Sequence, residues 1–182
     1  MIVWKNGAES VPFFYFMGMK TLFINRHAKS SWDHPDLSDF DRPLNNRGLK
    51  DAPEMGKRLS HKNEGIDLFV SSTANRAITT ARLMADEMKY PHEKILEIAE
   101  IYHASSRTLL NIVNQFDDSL SQVIIFGHNP GFTDLAENLT GEYLGNIPTC
   151  GICKVEFQID SWADIGFESG MLKYFDYPKN KA

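Results

Sequence analysis

Thr21-Leu-Phe-Ile-Asn-Arg26-His27-Ala28-Lys29-Ser30-Ser31-Trp32 runs from apolar, β-favouring residues into Arg-His and then into a small, polar, turn-forming segment. That pattern predicts a buried strand delivering a cation and an imidazole to a loop at its C-terminal end. In open α/β sheets this edge is where ligands bind, because the loops there surround a crevice. Later stretches follow apolar runs in the same way: Ser71-Ser72-Thr73-Ala74-Asn75-Arg76, Ala99-Glu100-Ile101-Tyr102 and Phe126-Gly127-His128-Asn129-Pro130.

Outward from the first strand (20–25), residues 32–46 hold Pro35, Pro43 and several Asp and Asn, which predicts a loop long enough to be functional. Leu49, Ala52, Met55, Gly56 and Leu59 fall at helical spacing and predict a helix over about 47–64. Pro53 interrupts it, so Asp51-x-x-Glu54 is read as a capping box that starts the regular helix later, with Pro53 in its tolerated first turn. Further strands are predicted at 66–71, 94–99 and 122–127, and helices at 74–88, 108–116 and 132–139. Residues 150–159 and 170–177 read as a closing antiparallel pair. The alternation predicts an α/β layered fold with a mainly parallel sheet.

At 182 residues the chain has the length of one ordinary domain. Its formal charge is −5 and it holds no basic tract, which argues against nucleic acid as a partner. Cys150 and Cys153 stand as Cys-Gly-Ile-Cys before a strand pattern rather than a helix, and no further ligand pair accompanies them. They read as ordinary reduced thiols, neither a redox motif nor a zinc site, and as a mark of a cytoplasmic setting. Residues 1–19 read as an extension outside the core, with 20–182 as the single domain. The apolar run from Val11 to Met19 is too short for a bilayer span and lacks the flanks of a signal peptide, so neither a membrane nor export is expected. Met17 and Met19 directly precede the first strand, so an upstream start codon could account for the extension.

Taken singly, Arg26-His27 reads as a solvated Arg beside a core His, and Arg76 as a first-turn helix residue. Together with His128 they place two arginines and two histidines at the ends of strands that a parallel sheet brings to one edge. Without a carboxylate cluster or metal-ligand spacing, such a set makes an anion pocket. Guanidinium forks match phosphate oxygens two at a time, and each charge at about 4 Å contributes on the order of 4 kcal/mol in a partly screened site. The same field disfavours imidazolium and keeps His27 in its neutral, nucleophilic form, the setting for covalent phosphoryl transfer.

Arg26-His27-Ala28-Lys29-Ser30, Asp41-Arg-Pro-Leu44 with Arg47-Gly48 and Asp51-Ala52, Ser71-Ser72 with Arg76-Ala77 and Thr79-Thr80-Ala81, and Gly127-His128-Asn129-Pro130-Gly131 resemble the histidine phosphatase (phosphoglycerate mutase-like) superfamily. The likeness is greatest to its small SixA-like phosphohistidine phosphatases, and runs from about residue 20 to 157. The resemblance implies a three-layer α/β/α sandwich, with His27 attacking phosphorus to become a transient phosphohistidine. Arg26 and Arg76 would hold the phosphoryl oxygens and His128 would complete the pocket. No metal or cofactor is implied. Many members protonate the leaving group with an acidic residue. Glu100 is the candidate here, with Glu97 behind it, and a surface role fits it equally well. A phosphohistidine substrate relaxes that need, since a protonated imidazole leaves easily and an alkoxide does not.

Ser30 is a candidate hydroxyl donor to phosphate and equally suits a turn. Arg42 reads as a structural ion pair, and His34, His61 and His92 as surface residues. His103 borders the pocket by its proximity to Glu100. The expected partner is a phosphorylated protein carrying phosphohistidine. The rivals are a small phosphate ester, handled by hydrolysis or mutase action, and a phosphate- or protein-binding module without turnover.

Overall fold

The computed structural model describes residues 18–33 and 35–180. Six strands form one sheet: β1 (Met19–Arg26), β2 (Leu68–Ser72), β3 (Leu96–Ile98), β4 (Gln122–Gly127), β5 (Ile152–Gln158) and β6 (Met171–Asp176). Their order is β3-β2-β4-β1-β5-β6. β1 to β4 all run parallel, whereas β5 is antiparallel to both β1 and β6. The expected closing antiparallel pair is therefore β5–β6.

Period-two alternation along the strands splits the core into two layers. Leu22, Ile24, Val123 and Ile125 enter the cluster that also holds Leu109, Val113, Leu135 and Leu139. Phe23, Ile124 and Phe126 enter the opposite one, with Met55, Leu59, Ala81 and Met84. The helices follow: α1 (Asn46–His61) and α2 (Asn75–Met88) cover one face, and α3 (Ser106–Val113) and α4 (Gly131–Thr140) the other. The result is a three-layer α/β/α sandwich, and each fully buried Leu, Ile or Phe stabilises it by roughly 1.5–3 kcal/mol.

Several elements depart from expectation. α1 starts at Asn46, not after Asp51, because the Asn45 side chain caps it by accepting from the Gly48 N–H at 3.0 Å. Pro53 thus lies within the helix, where it offers no N–H to the Leu49 carbonyl. β3 is three residues long, flanked by short 3-10 turns at His92–Lys94 and Ala99–Ile101. Of the proposed extension, Met19 belongs to β1, pairing with Gln158. Residues 1–17 and His34 lie outside the described residues.

Two features tie the loops to the C-terminal sheet edge. A Cβ on Gly48 would sit 2.2 Å from the Lys29 carbonyl oxygen, so only glycine lets the start of α1 pack against the turn after β1. The 32–45 loop folds back on that turn, with Ser31 N–H donating to Pro43 O at 2.9 Å and Asn45 N–H to Lys29 O at 3.0 Å. Its tip is pinned to the start of α2, where the Asn75 N–H donates to Phe40 O and the Asn75 amide to Asp41 O.

Candidate active site

β1 and β4 end in register, Arg26 opposite Gly127. The next residue on each strand is therefore a histidine beside a histidine, and the rings of His27 and His128 lie 5.0 Å apart. β2 ends one strand further on, and α2 springs from it with Arg76 as its second residue. Parallel pairing thus converts three distant motifs into one cluster, buried at His27, Arg76 and His128 and half-buried at Arg26.

The His27 ring has its tautomer set by its neighbours. Nδ1 lies 2.7 Å from the Ala28 carbonyl oxygen. A carbonyl can only accept, so Nδ1 carries the hydrogen and Nε2 keeps its lone pair. That lone pair faces Arg76 Nε at 3.3 Å. Thr80 holds the backbone behind it, accepting the Ala28 N–H at 3.0 Å while donating to Arg76 O at 2.6 Å.

Burial pushes the His27 pKa down to about 3; the Ala28 hydrogen bond opposes this, and the charges of Arg76, Arg26 and Arg42 reinforce it. His128 is pushed to about 2, by burial first and then by His27 and Arg76. Both rings are neutral at physiological pH, leaving His27 Nε2 competent as a nucleophile. His128 Nε2 meets the Ser72 hydroxyl at 3.0 Å, and its Nδ1 is buried without a partner. Arg26 is anchored through Nη1, which donates to Ile147 O at 2.7 Å, while its Nε is also buried and unpartnered. Among the described residues, five buried side-chain polar atoms lack a partner, and four belong to Asn25, Arg26, His128 and Asn129 at this edge. The Asn25 and Asn129 orphans are acceptor oxygens, but the unpartnered Arg26 Nε–H, beside the Arg76 guanidinium and His128 Nδ1, makes a receptacle for an anion with several acceptor oxygens.

The linkage between these rings and folding gives an acid sensitivity. Their pKa values in the fold lie below the ordinary histidine value of about 6.5. The unfolded chain therefore takes up protons that the fold refuses as pH drops from about 6.5 toward 3. Stability is complete above that window and falls through it, by on the order of 2 kcal/mol at pH 5 for His27. Urea unfolding at pH 7 and pH 5 should show a smaller acid loss in His27→Ala than in wild type. Equal losses would contradict the buried, neutral ring.

One residue of the site gave no signal in the sequence reading. Asp39, from the 32–45 loop, reaches Arg76 Nη2 with Oδ2 at 2.9 Å and Arg42 Nη1 with Oδ1 at 2.8 Å. Its backbone carbonyl accepts from Arg76 Nη1. The Tyr102 hydroxyl donates to Oδ2 at 2.8 Å, and His103 Nε2 lies 3.7 Å away. Burial would raise the Asp39 pKa, but the Tyr102 and Arg42 hydrogen bonds and the Arg76 pairing outweigh it and bring the carboxyl down to about 2. The end of the Arg76 guanidinium is thus gripped by Asp39, and its Nε side is left facing His27. Tyr102 also stands edge-on to His128, with ring centroids 5.4 Å apart.

The remaining candidates fall less centrally. Ser30 is buried and its Oγ accepts from Arg42 Nη2 at 2.6 Å, so it joins the cluster through Arg42 and Asp39. Arg42 is the structural ion pair expected of it, with Asp39 as its carboxylate, and it stacks on exposed Trp32. Glu100 is not brought to the pocket. It lies exposed on the 3-10 turn after β3, lining a groove with Leu96, Ile98, Thr108 and Asn111. That turn carries Tyr102 and His103 toward the site in its place. Glu97 is exposed and pairs with Arg82. Cys150 and Cys153 are free and buried, and burial raises Cys153 to about 12, so both are inert thiols. Among the described residues, no three His, Cys, Asp or Glu side chains converge as a metal site. No helix among them is long and apolar enough to cross a membrane.

Comparison with known proteins gives a consistent set of likenesses. The family model of the histidine phosphatase superfamily (branch 1) matches residues 22–128, a span that holds Arg26, His27, Arg76 and His128. An uncharacterized chloroplastic protein of Arabidopsis thaliana is 29% identical over 159 residues, covering 83% of this chain and 72% of that one. The crystal structure of SixA from Agrobacterium tumefaciens matches with a TM-score of 0.74 at 27% identity, over 87% of this chain and 98% of that one. A structure of the protein histidine phosphatase SixA complexed with tungstate matches at 0.73 and 22% identity, over 88% and 98% of the two chains, and shows the shared fold.

Proposed function

The chain belongs to the histidine phosphatase superfamily, and on that premise we propose that it is a phosphatase working through a transient phosphohistidine on His27. Its substrate class is protein phosphohistidine, as carried by phosphotransfer domains of signalling proteins, and its setting is the cytoplasm. The observation that carries the reading is the His27 ring: Nδ1–H is committed to the Ala28 carbonyl, and a neutral Nε2 faces the Arg76 guanidinium.

In this reading Arg26, Arg76 and His128 receive the phosphoryl oxygens, and Nε2 attacks phosphorus in line with the departing group. The donors are in place before the reaction, so the charge that develops on the oxygens meets fixed partners rather than reorganising water. As the N–P bond forms, the His27 ring becomes positive, and its Nδ1–H strengthens its bond to Ala28 O. Water then attacks the phosphohistidine, the N–P electron pair returns to Nε2, and phosphate leaves. Pro43, Phe40 and Trp32 belong to a loop that forms part of the rim rather than a large lid, which suits a substrate presented on another protein.

The test is phosphate release, in excess chelator, from a phosphohistidine-bearing phosphotransfer domain and from a generic aryl phosphate. Faster His27-dependent release from the protein supports the assignment. Release from the ester alone would keep the phosphatase and remove phosphohistidine as its substrate.

A further inference from the structure

We propose that Asp39 sets the leaving-group class of this site, favouring a departing ring nitrogen over a departing oxyanion. The inference rests on the phosphatase reading above and concerns which bond to phosphorus that site breaks best.

The pocket is closed on the inside by buried His27, His128 and Arg76. A leaving group opposite His27 Nε2 must therefore depart toward solvent. On the cluster's solvent side stand Asp39, whose side chain is 42% exposed, and His103, at 60%. Asp39 is the carboxylate hydrogen-bonded into the cluster among the described residues, and it is held ionised by Arg42, Arg76 and Tyr102. Its Oδ2 is engaged by Arg76 and Tyr102, whereas among the described residues Oδ1 has Arg42 as its one hydrogen-bond partner. A carboxylate oxygen accepts about two hydrogen bonds, so Oδ1 of this partly exposed side chain retains an open acceptor position.

A fixed, ionised carboxylate there treats the two leaving groups oppositely. A phosphorylated imidazole departs with its second nitrogen protonated, so it offers an N–H to a nearby acceptor. As Nε2 of His27 bonds to phosphorus, the P–N electron pair passes to the departing ring, which leaves as neutral imidazole. The positive charge reappears on the His27 ring, and no proton has to be supplied. An ester departs by taking the P–O pair onto oxygen, creating an anion that faces the ionised Asp39 and has no carboxylic acid to protonate it. Glu100, the acidic residue the sequence suggested for that task, is elsewhere. Asp39 thus discriminates both by attraction to one leaving group and by repulsion of the other.

Two small probes carry the same phosphoryl group on different leaving groups, phosphoimidazole and phenyl phosphate. The structure leads us to expect that Asp39→Asn lowers the kcat/KM ratio of phosphoimidazole to phenyl phosphate by about ten-fold or more. Asp39→Glu, which keeps the charge, should preserve most of the ratio. In Arg76→Lys both rates should fall together, because that residue holds the phosphoryl group common to both. The ratio does not depend on how much of a variant folds. A parallel fall of both probes in Asp39→Asn would overturn the proposal, reducing Asp39 to a residue that positions Arg76, and would leave the phosphatase reading standing. Turnover of neither probe by the wild-type chain would overturn the phosphatase reading and the proposal with it.

Discussion

His27→Ala is expected to abolish turnover, by at least about 10⁴-fold in kcat, because removing a nucleophile eliminates the covalent route rather than weakening it. The remaining pocket would still hold Arg26, Arg76 and His128, so phosphate binding should persist while phosphate release stops. The substitution removes a ring that is 8% exposed and held at 2.7 Å by Ala28 O, but Thr80 still fixes the Ala28 N–H at 3.0 Å. The fold should therefore survive, which circular dichroism and phosphate titration would check. Phosphate binding retained without turnover is the expected pattern. Turnover within ten-fold of wild type would remove His27 from the chemistry.

Arg76→Ala carries the second largest expected effect, a fall in kcat of about 10²–10³, equivalent to roughly 2.7–4 kcal/mol, as for other preorganised transition-state donors. Three nitrogens of this guanidinium are placed at once: Nε toward His27 Nε2, Nη1 on the Asp39 carbonyl and Nη2 on the Asp39 carboxylate. Lysine supplies a charge without that fork, so Arg76→Lys should recover little of the loss. The alanine variant also releases Asp39 from α2, loosening the 32–45 loop that Asn75 otherwise pins. Steady-state kinetics on an aryl phosphate reads the effect directly. Unchanged kcat would place Arg76 outside the reacting site.

The site was legible where its signal is local. β4 spans 122–127, as its Val-Ile-Ile-Phe run predicts, and the Arg-His and Gly-His ends of β1 and β4 declare themselves as residues that break an apolar pattern. Parallel pairing then does what alternation of strand and helix implies and brings them to one edge. For the start of α1, Asp51-x-x-Glu54 competes with Asn45 for the capping role, and the closer fit to the buried face lies with Asn45, which leaves Gly48 and Ala52 helical while Leu49 faces outward. Asp39 does not stand out in the sequence, since of its partners only Arg42 is local, while Arg76 and Tyr102 lie 37 and 63 residues away. Nothing in a loop rich in Asp and Asn distinguishes the one that turns inward. Glu100 was suggested by its place after β3, but a three-residue 3-10 turn reverses the chain there and presents Tyr102 and His103 instead.

The central claim is that phosphorus passes through His27 Nε2. It is tested most directly by quenching wild-type enzyme in alkaline denaturant during turnover of phosphoimidazole and mapping the phosphoryl group by mass spectrometry. The account predicts an acid-labile, alkali-stable phosphoryl group on His27, absent from His27→Ala. Sustained turnover with no phosphoenzyme, or with the label on His128 or His103, would contradict it.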